Sequence, residues 1–383
     1  MRWAKRALIG AVVLFLVILM AAFSYLKVQS DRSAVLPGPT GPDRVGRSVY
    51  VWADQSRMDP FAPNGSTPRE LSVWVWYPAS PAPGAPTASY WPAEWQRALG
   101  EGGGINDLLH TRPALIHPHA VEEASISDSQ GRYPLLVFAP GQGLSVADYT
   151  TIAEDLASNG YVVAGVNPTY SVDVVLSSGQ VVRSASKAEN ANYGQLASVW
   201  GDDMRFAAHQ MDSLSAASTG RFSGRLESAG IGFFGHSLGG AAAVQACRHE
   251  DRCSGAADLD GRLGGDVLQT GLGKPFLFLG SQSSLSATDG ALKTQVRSAL
   301  RGVPPGQGHV LTVAGAEHYN FTDQGVYFDL VNSAFLGSID GARALRISSR
   351  YLEAFFSSYE LGHPDQLLAG PSSAFPEVRA EPA

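Results

Sequence analysis

Residues 231–246 read IGFFGHSLGGAAAVQA, a short apolar run that ends in Gly-x-Ser-x-Gly and passes directly into an alanine-rich segment. A buried strand, a sharp turn and a helix in this order are typical of the turn that exposes a nucleophilic serine at the edge of a sheet. Gly235 and Gly239 fit such a turn, because a Cβ there would collide with the neighbouring strand or helix. The stretch therefore predicts Ser237 as a nucleophile, with an ordinary strand-to-helix turn as the alternative.

The segment before this stretch predicts the type of sheet. Residues 133–140 form a continuous apolar run, which is followed by the glycine turn 141–143, a helical pattern over 146–158 and a second apolar run over 161–166. A strand, a helix and a strand in this order make a βαβ unit, whose parallel strands are buried on both faces. We therefore predict an α/β-hydrolase fold, in which helices flank a mostly parallel central sheet. Further strands are expected at 48–53, 71–77, 255–259, 275–279 and 310–314, a hairpin within 172–184, and helices at 192–214 and 344–359.

The N-terminus carries a candidate membrane segment. Arg2, Lys5 and Arg6 precede an apolar run over 7–26, which as a helix is long enough to cross about 30 Å of hydrocarbon. The run exceeds the core of about 7 to 15 residues that is usual in a cleaved signal peptide. We therefore expect an uncleaved anchor, with a cleaved signal and a secreted protein as the alternative. The basic residues before the span predict an extracytoplasmic catalytic body.

Composition divides the chain into four parts. Residues 1–28 are the expected anchor or signal, and residues 29–46 form a linker rich in proline and glycine. A single catalytic domain is expected over 47–362, followed by a loose tail over 363–383. Within the domain, the long segment 78–133 and the hairpin near Gly179 are expected to border the pocket and to set substrate choice.

Net charge and cysteine content restrict the partners and the compartment. The formal net charge is -7, so the sequence predicts no basic surface and nucleic acid is not an expected partner. Cys247 and Cys253 lie on either side of the end of the helix that follows Ser237. Because export is expected, we predict a disulfide between them, with free buried thiols as the alternative.

A serine hydroxyl needs a base, which in this architecture follows the serine in the chain. His249 lies at the far end of the helix after Ser237 and His309 at the start of a strand, both away from the strand ends where ligands bind. His363 falls in the expected tail. His318 follows the strand 310–314 on the edge where the serine also emerges, and is the predicted base. His236 is expected to be a packing residue of the turn.

The acid that orients the base has two main candidates. Asp260 directly follows the strand 255–259, where the backbone is fixed, whereas Asp289 lies in a serine-rich loop after the next strand. The second position is the commoner one for the acid of an α/β-hydrolase. Asp258 points to the same side as Asp260 but deeper in the strand, and is a minor alternative. Position alone leaves the choice open.

Several blocks together resemble the platelet-activating factor acetylhydrolase family of secreted serine esterases and its bacterial relatives. They are residues 133–166, VWVWYP at 73–78, GHSLGG at 235–240 with Asp260-Gly261, and GAEHYNF at 315–321. In that family the acid follows the strand after the nucleophile turn, so the resemblance selects Asp260 over Asp289. The sequence departs from many relatives at Ala139-Pro140-Gly141, where they carry Ser-His-Gly.

The expected chemistry is hydrolysis of a carboxylic ester. Ser237 attacks the carbonyl, His318 transfers the proton and Asp260 holds the imidazole. The backbone N–H groups of Gln142 and Leu238 are expected to form the oxyanion hole. We expect neither a cofactor nor a metal, because the segment His117-Pro118-His119 lacks acidic or thiol partners at ligand spacing.

Two other functions remain open at this point. One is acyl transfer to an alcohol other than water on the same scaffold. The other is a catalytically silent α/β-hydrolase that is held at the membrane and used for binding, since fold alone does not imply function. The expected partners are a small-molecule or lipid ester and, through the N-terminal segment, a membrane. The sequence predicts neither the acyl and alcohol specificity nor the oligomeric state.

Overall fold

A central sheet of ten strands organises the part of the chain that the computed structural model describes, residues 2–63, 65–100, 107–176, 179–285 and 290–381. The strands in chain order are β1 (Ala34–Val35), β2 (Arg44–Met58), β3 (Pro68–Ala79), β4 (Ile116–His117), β5 (Val121–Glu122), β6 (Tyr133–Ala139), β7 (Val162–Asn167), β8 (Val174–Val175), β9 (Val181–Val182), β10 (Leu226–His236), β11 (Cys253–Leu259), β12 (Phe276–Ser281), β13 (Gly308–Val313) and β14 (Val378–Ala380). The order across the main sheet is β14-β13-β12-β11-β10-β6-β7-β3-β2-β5.

The middle of this sheet is parallel, and antiparallel pairs occur towards its borders, although the edge strand β5 is parallel to β2. Neighbouring strands from β7 through β6 and β10 to β13 run parallel, whereas β3 is antiparallel to both β2 and β7. The pair β8 and β9 forms the expected hairpin. The helices are α1 (Arg2–Ser30), α2 (Ala93–Leu99), α3 (Thr150–Ser158), α4 (Ser186–Glu189), α5 (Tyr193–Ala216), α6 (Leu238–His249), α7 (Val267–Thr270), α8 (Ala291–Ala299) and α9 (Gly341–Tyr359).

Helices cover both faces of the sheet, and the strand sequences show why. In β6, Leu135 and Val137 contact the core on the side of α5 and α6, whereas Leu136 and Phe138 contact the core on the side of α3 and α9. Successive side chains of a strand point to opposite faces, so a continuous apolar run needs a layer on each side. The prediction of an α/β-hydrolase fold is confirmed.

The N-terminal helix α1 stands apart from these cores. Its length and hydropathy allow it to cross a membrane, and none of its apolar window is buried inside the protein. Near its end, Lys27 forms an ion pair with Asp31 at 2.6 Å. Elsewhere, Cys247 at the end of α6 is joined to Cys253 at the start of β11 by a disulfide.

The segments expected to be a linker and a loose tail both make contacts with the domain. In the linker 29–46, β1 pairs with β4, the Thr40 amide donates to Asp155 at 2.7 Å and the Gly41 amide donates to Ser158 at 2.9 Å. In the tail 363–383, β14 pairs antiparallel with the edge strand β13. Backbone groups of these segments find partners on distant elements, which their composition does not reveal.

Candidate active site

The turn between β10 and α6 holds Ser237 in an unusual backbone conformation, with φ 56° and ψ -122°. Few residues other than glycine adopt a positive φ, and such strain persists only where the surroundings enforce it. The surroundings here are two glycines: a Cβ on Gly235 would lie 2.2 Å from Gly239, and a Cβ on Gly239 would lie 2.1 Å from the Ala139 carbonyl oxygen. The sequence therefore folds into a tight turn with Ser237 at its tip.

Asp260 and His318 meet beside this turn. Asp260 follows β11, and His318 begins the short 3₁₀ helix His318–Phe321 after β13. The His318 Nδ1 atom lies 2.7 Å from Asp260 Oδ2, and the other carboxylate oxygen of Asp260 accepts the Ser281 amide at 2.6 Å. Both oxygens of the acid are thus held, which orients the imidazole so that Nδ1 faces Asp260 and Nε2 is the other ring nitrogen.

Ser237, Asp260 and His318 line one cavity of about 410 Å³. Among the described residues, no hydrogen bond joins the Ser237 hydroxyl to the His318 ring. Such bonds are often long in ligand-free enzymes and shorten when substrate binds. The structure therefore brings the three predicted side chains together. It also adds Tyr193, Arg262, Ser283 and Gln295 to the cavity wall, residues for which the sequence offered no signal.

The two predicted oxyanion donors follow the neighbouring parallel strands β6 and β10. Gln142 is in the exposed glycine turn after β6, and Leu238 is the first residue of α6. Within the described ranges, neither amide donates to a protein acceptor. The amide of the neighbouring Gly141, by contrast, donates to the Tyr149 hydroxyl at 2.9 Å. Both predicted N–H groups are therefore available to a ligand.

A chain of buried hydrogen bonds connects the glycine turn to the histidine loop. The Gly141 amide donates to Tyr149, whose hydroxyl lies 2.7 Å from His236 Nδ1. His236 Nε2 lies 3.0 Å from the His318 carbonyl oxygen. Burial, and secondarily the neighbouring His318, lowers the pKa of His236 well below 6.5. The ring is therefore neutral, so that Nε2–H donates to His318 and Nδ1 accepts from Tyr149.

These hydrogen bonds give His236 a larger structural role than the packing role expected from the sequence. These hydrogen bonds hold the turn that carries Gln142 at a set distance from the loop that carries His318. The Ser237 turn lies between the two. Sequence reasoning missed Tyr149 altogether. The sequence does show a tyrosine soon after the glycine turn 141–143. The direction of its side chain, however, depends on how the 3₁₀ helix Val146–Tyr149 joins α3.

Of the other candidate acids, Asp258 has its neighbours on α6 and in the turn after β11. Asp289 lies outside the described residues. Asp258 is fully buried, and its Oδ1 accepts the Gly261 amide at 2.8 Å. A Cβ on Gly240 would lie 1.9 Å from the same oxygen, so this carboxyl faces α6. Burial raises the pKa of Asp258 well above 3.8.

The other histidines have partners away from the cavity. His249 lies 3.3 Å from Asp266, and His309 lies 2.7 Å from the Tyr359 hydroxyl. His363 is exposed after α9. His119 faces Glu154 at 3.3 Å, and no cluster of three metal-ligating side chains occurs among the residues that the structure describes.

A second cavity of about 460 Å³ lies on the other side of the glycine turn. Gly143 and Leu144 of this turn form part of its wall, and aromatic side chains from the segment before β4 form another part. The aromatic residues are Tyr90, Trp91 and Trp95, and Tyr327 joins them from the segment after His318. The wall of this cavity thus combines aromatic side chains with charged ones, among them Arg112, Asp148 and Asp329.

Comparisons with known proteins agree on one family. The family model described as platelet-activating factor acetylhydrolase, isoform II, matches residues 98–192 and 212–366. A probable 1-alkyl-2-acetylglycerophosphocholine esterase of Arthroderma benhamiae is 28% identical over 379 residues, covering 90% of this chain and 93% of the relative. A platelet-activating factor acetylhydrolase of Cavia porcellus is 22% identical, covering 60% of this chain and 58% of the relative.

Solved structures include a similar esterase. The structure of a ferulic acid esterase from Streptomyces cinnamoneus superposes with a TM-score of 0.78 and 30% sequence identity. The match covers 91% of this chain and 100% of that one. Similarity in both sequence and fold thus leads to proteins named as esterases or acetylhydrolases.

Proposed function

Because the chain belongs to the platelet-activating factor acetylhydrolase isoform II family and is a carboxylic ester hydrolase, we propose that it cleaves short-acyl or lipid esters through Ser237, His318 and Asp260. The observation that carries this proposal is the 2.7 Å contact between His318 and Asp260 in a cavity that Ser237 also lines. A nucleophile, a base and a group that orients the base are the parts that acyl transfer by serine requires.

The reaction proceeds in two halves. The Ser237 oxygen attacks the ester carbonyl while His318 Nε2 takes its proton, and the same proton then passes to the leaving alcohol. Asp260 stabilises the imidazolium that forms between these steps. The amides of Gln142 and Leu238 donate to the oxyanion, where the loss of one donor typically costs about 100- to 1,000-fold in rate. Water, activated by His318, then releases the acid.

The catalytic body lies outside the cytoplasm in this proposal. Arg2, Lys5 and Arg6 precede the apolar helix α1, and basic residues at this position favour a cytoplasmic N-terminus. The disulfide between Cys247 and Cys253 supports the same placement, because disulfides persist in oxidising compartments. An ester of the surrounding membrane is then within reach.

Labelling with a fluorophosphonate probe tests the nucleophile. We expect the full-length protein to be labelled and to hydrolyse p-nitrophenyl acetate, and Ser237→Ala to lose both activities. The exposed Ser213 on α5 provides the matched control, since Ser213→Ala removes a hydroxyl of the same kind outside the cavity. Labelling that persists in Ser237→Ala would overturn the assignment.

The same preparation separates hydrolysis from its alternatives. Product analysis with and without an added alcohol distinguishes the free acid, which we expect, from a new ester, which would indicate an acyltransferase. A parent protein that is neither labelled nor active on any ester of a series of increasing acyl length would indicate a silent scaffold and overturn the proposal.

A further inference from the structure

Asp258 is a buried carboxyl two residues before the acid Asp260, and the proposed reaction gives it no role. It is fully buried, and its Oδ1 accepts the Gly261 amide at 2.8 Å. Its Oδ2 has no hydrogen-bond partner within the described part of the chain. Burying a carboxyl costs free energy unless the surroundings compensate for it. The position of Asp258 at the end of β11 therefore calls for a physical reason.

The acid that follows it has a strained backbone. Asp260 has a φ of 55°, close to the 56° of Ser237, in a region that persists only where neighbouring contacts enforce it. The Asp260 amide donates to the Leu279 carbonyl oxygen at 3.0 Å. The next amide, that of Gly261, is the one that Asp258 accepts. Asp258 therefore supplies the contact that holds the far side of this turn.

The same carboxyl packs against the first turn of α6, directly after the nucleophile. A Cβ on Gly240 would lie 1.9 Å from Asp258 Oδ1, and a Cβ on Gly261 would lie 2.4 Å from it. The second Cβ would also lie 2.3 Å from the Ser237 carbonyl oxygen. The turn of the acid thus packs directly on the turn of the nucleophile, and the Asp258 carboxyl contacts both the acid turn and α6.

The surroundings of Asp258 favour a neutral carboxyl. The titratable groups that interact with it are Asp260 at the end of the same strand and Tyr193 on α5, and the first turn of α6, with the sequence LGGA, has none. Burial, together with the nearby Asp260, raises the pKa of Asp258 well above 3.8. A proton on this carboxyl keeps a second negative charge away from the start of α6, where the oxyanion is expected to form.

We propose that Asp258 is a positioning residue for the reaction, because its carboxyl sets the place of Asp260 relative to the nucleophile turn. This inference rests on the proposed function, in which Asp260 orients His318. Without the acceptor, the Gly261 amide loses its partner and the turn relaxes. Asp260 then no longer meets the imidazole at 2.7 Å, and a displacement of about 1 Å in a catalytic group can cost about 100-fold in rate.

Two substitutions separate the hydrogen-bond acceptor from the carboxyl itself. Asp258→Asn keeps an acceptor oxygen and is always neutral, so it should retain at least about a third of the parent kcat on p-nitrophenyl acetate. Asp258→Leu has the same branching at Cγ but no acceptor, and should lower kcat by about 100-fold with KM within about twofold. The full-length protein is assayed in detergent, and urea unfolding shows whether each variant is folded under the assay conditions.

Asp155 on α3 provides the matched control. It is also a buried carboxyl, with 6% of its surface exposed, and its Oδ1 accepts a backbone amide, that of Thr40, at 2.7 Å. Asp155→Leu thus removes a hydrogen bond of the same kind outside the cavity. It should lower the urea midpoint and leave kcat within about twofold of the parent.

The pH profile of kcat/KM shows whether the effect passes through Asp260. Its acid limb marks protonation of the base, and the contact with Asp260 favours the protonated imidazole. In Asp258→Leu the weakened contact should move this limb to lower pH by at least about 0.5 unit. Asp258→Asn should leave it within about 0.2 unit, because one neutral group replaces another.

Four results would overturn the inference. They are a kcat of Asp258→Leu within about threefold of the parent, an equal loss in Asp258→Asn, an equal loss in Asp155→Leu, and an acid limb that does not move in Asp258→Leu. If Asp258→Leu does not fold, Asp258→Asn decides: retained kcat with an unchanged acid limb supports the inference, and a loss of more than about tenfold overturns it. Failure of the esterase proposal is a different result, because the parent protein would then leave p-nitrophenyl acetate intact.

Discussion

His236 lies next to the nucleophile, and its neutral form is what the surrounding contacts require. Nδ1 of the ring accepts from the Tyr149 hydroxyl, and Nε2 donates to the His318 carbonyl oxygen. A proton on Nδ1 would therefore face the Tyr149 hydroxyl, which already accepts a hydrogen bond from the Gly141 amide. A charged imidazole at a site that is 1% exposed would also lose its hydration. Both causes favour an unprotonated ring in the folded protein.

This residue makes the stability of the protein depend on pH. Because burial lowers the pKa of His236 in the folded state, the unfolded chain takes up a proton below about pH 6.5 that the folded chain does not. The parent should therefore lose up to about 1.4 kcal/mol per pH unit relative to His236→Gln as the pH falls below this value. Urea unfolding of both proteins from pH 8 to pH 5 measures the difference. Parallel curves would contradict the neutral assignment.

The sequence could single out some residues of the site and not others. Ser237 and His318 each follow a strand, and the carboxyl ends of parallel strands meet at one edge of a sheet, so order along the chain was enough to group them. The choice of Asp260 over Asp289 required the family resemblance as well. Tyr149 and His236 join through side-chain directions within a buried layer, which one sequence does not encode in any readable pattern. For the same reason, the sequence could not predict that Arg262 and Gln295 line the cavity.

At the scale of elements, the C-terminal strand β14 covers the edge of the main sheet. It pairs with β13 from Leu311 to Val313, and Val378 is buried against the core. Arg343 on α9 fastens the segment through Glu377, with its Nη2 atom 2.9 Å from the carboxylate. An uncovered edge strand presents unpaired amides and carbonyls, which are a template for association with other chains.

Shortening the chain tests this role. Ending it after Gly370 removes β14 and should lower the free energy of unfolding by about 3 kcal/mol, from ladder hydrogen bonds worth about 1 kcal/mol each and the burial of Val378. Light scattering should also show association that increases with concentration. The control ends after Glu381 and keeps β14. Equal urea midpoints for the two truncations would contradict the role of the strand.

Long buried elements were predictable, and the short strands that pair with distant segments were not. The runs that became β6 and β10 are continuous and apolar, which is the pattern of parallel strands between two helical layers. The strands β1 and β14 have two and three residues, too few for any period to emerge. They exist because β4 and β13 offer backbone partners, so composition alone suggested a linker and a tail.

At the scale of the whole molecule, the cavity of about 460 Å³ reaches from the neighbourhood of α1 to the glycine turn after β6. Arg112 contacts Asp31 at the end of α1 and forms part of the cavity wall, and the cavity ends at the turn that carries Gln142. The strand order built from β6, β10, β11 and β13 then places the donor turn, Ser237, Asp260 and His318 along a single edge.

The central claim is that these groups converge on one reacting carbon. A crystal structure of the protein after reaction with a fluorophosphonate tests it most directly, because the phosphonyl group imitates the tetrahedral intermediate. The account predicts a bond from phosphorus to the Ser237 oxygen, a phosphonyl oxygen about 3 Å from the amides of Gln142 and Leu238, and His318 Nε2 within hydrogen-bond distance of the Ser237 oxygen. Phosphorus on another residue, or His318 turned away from the adduct, would contradict it.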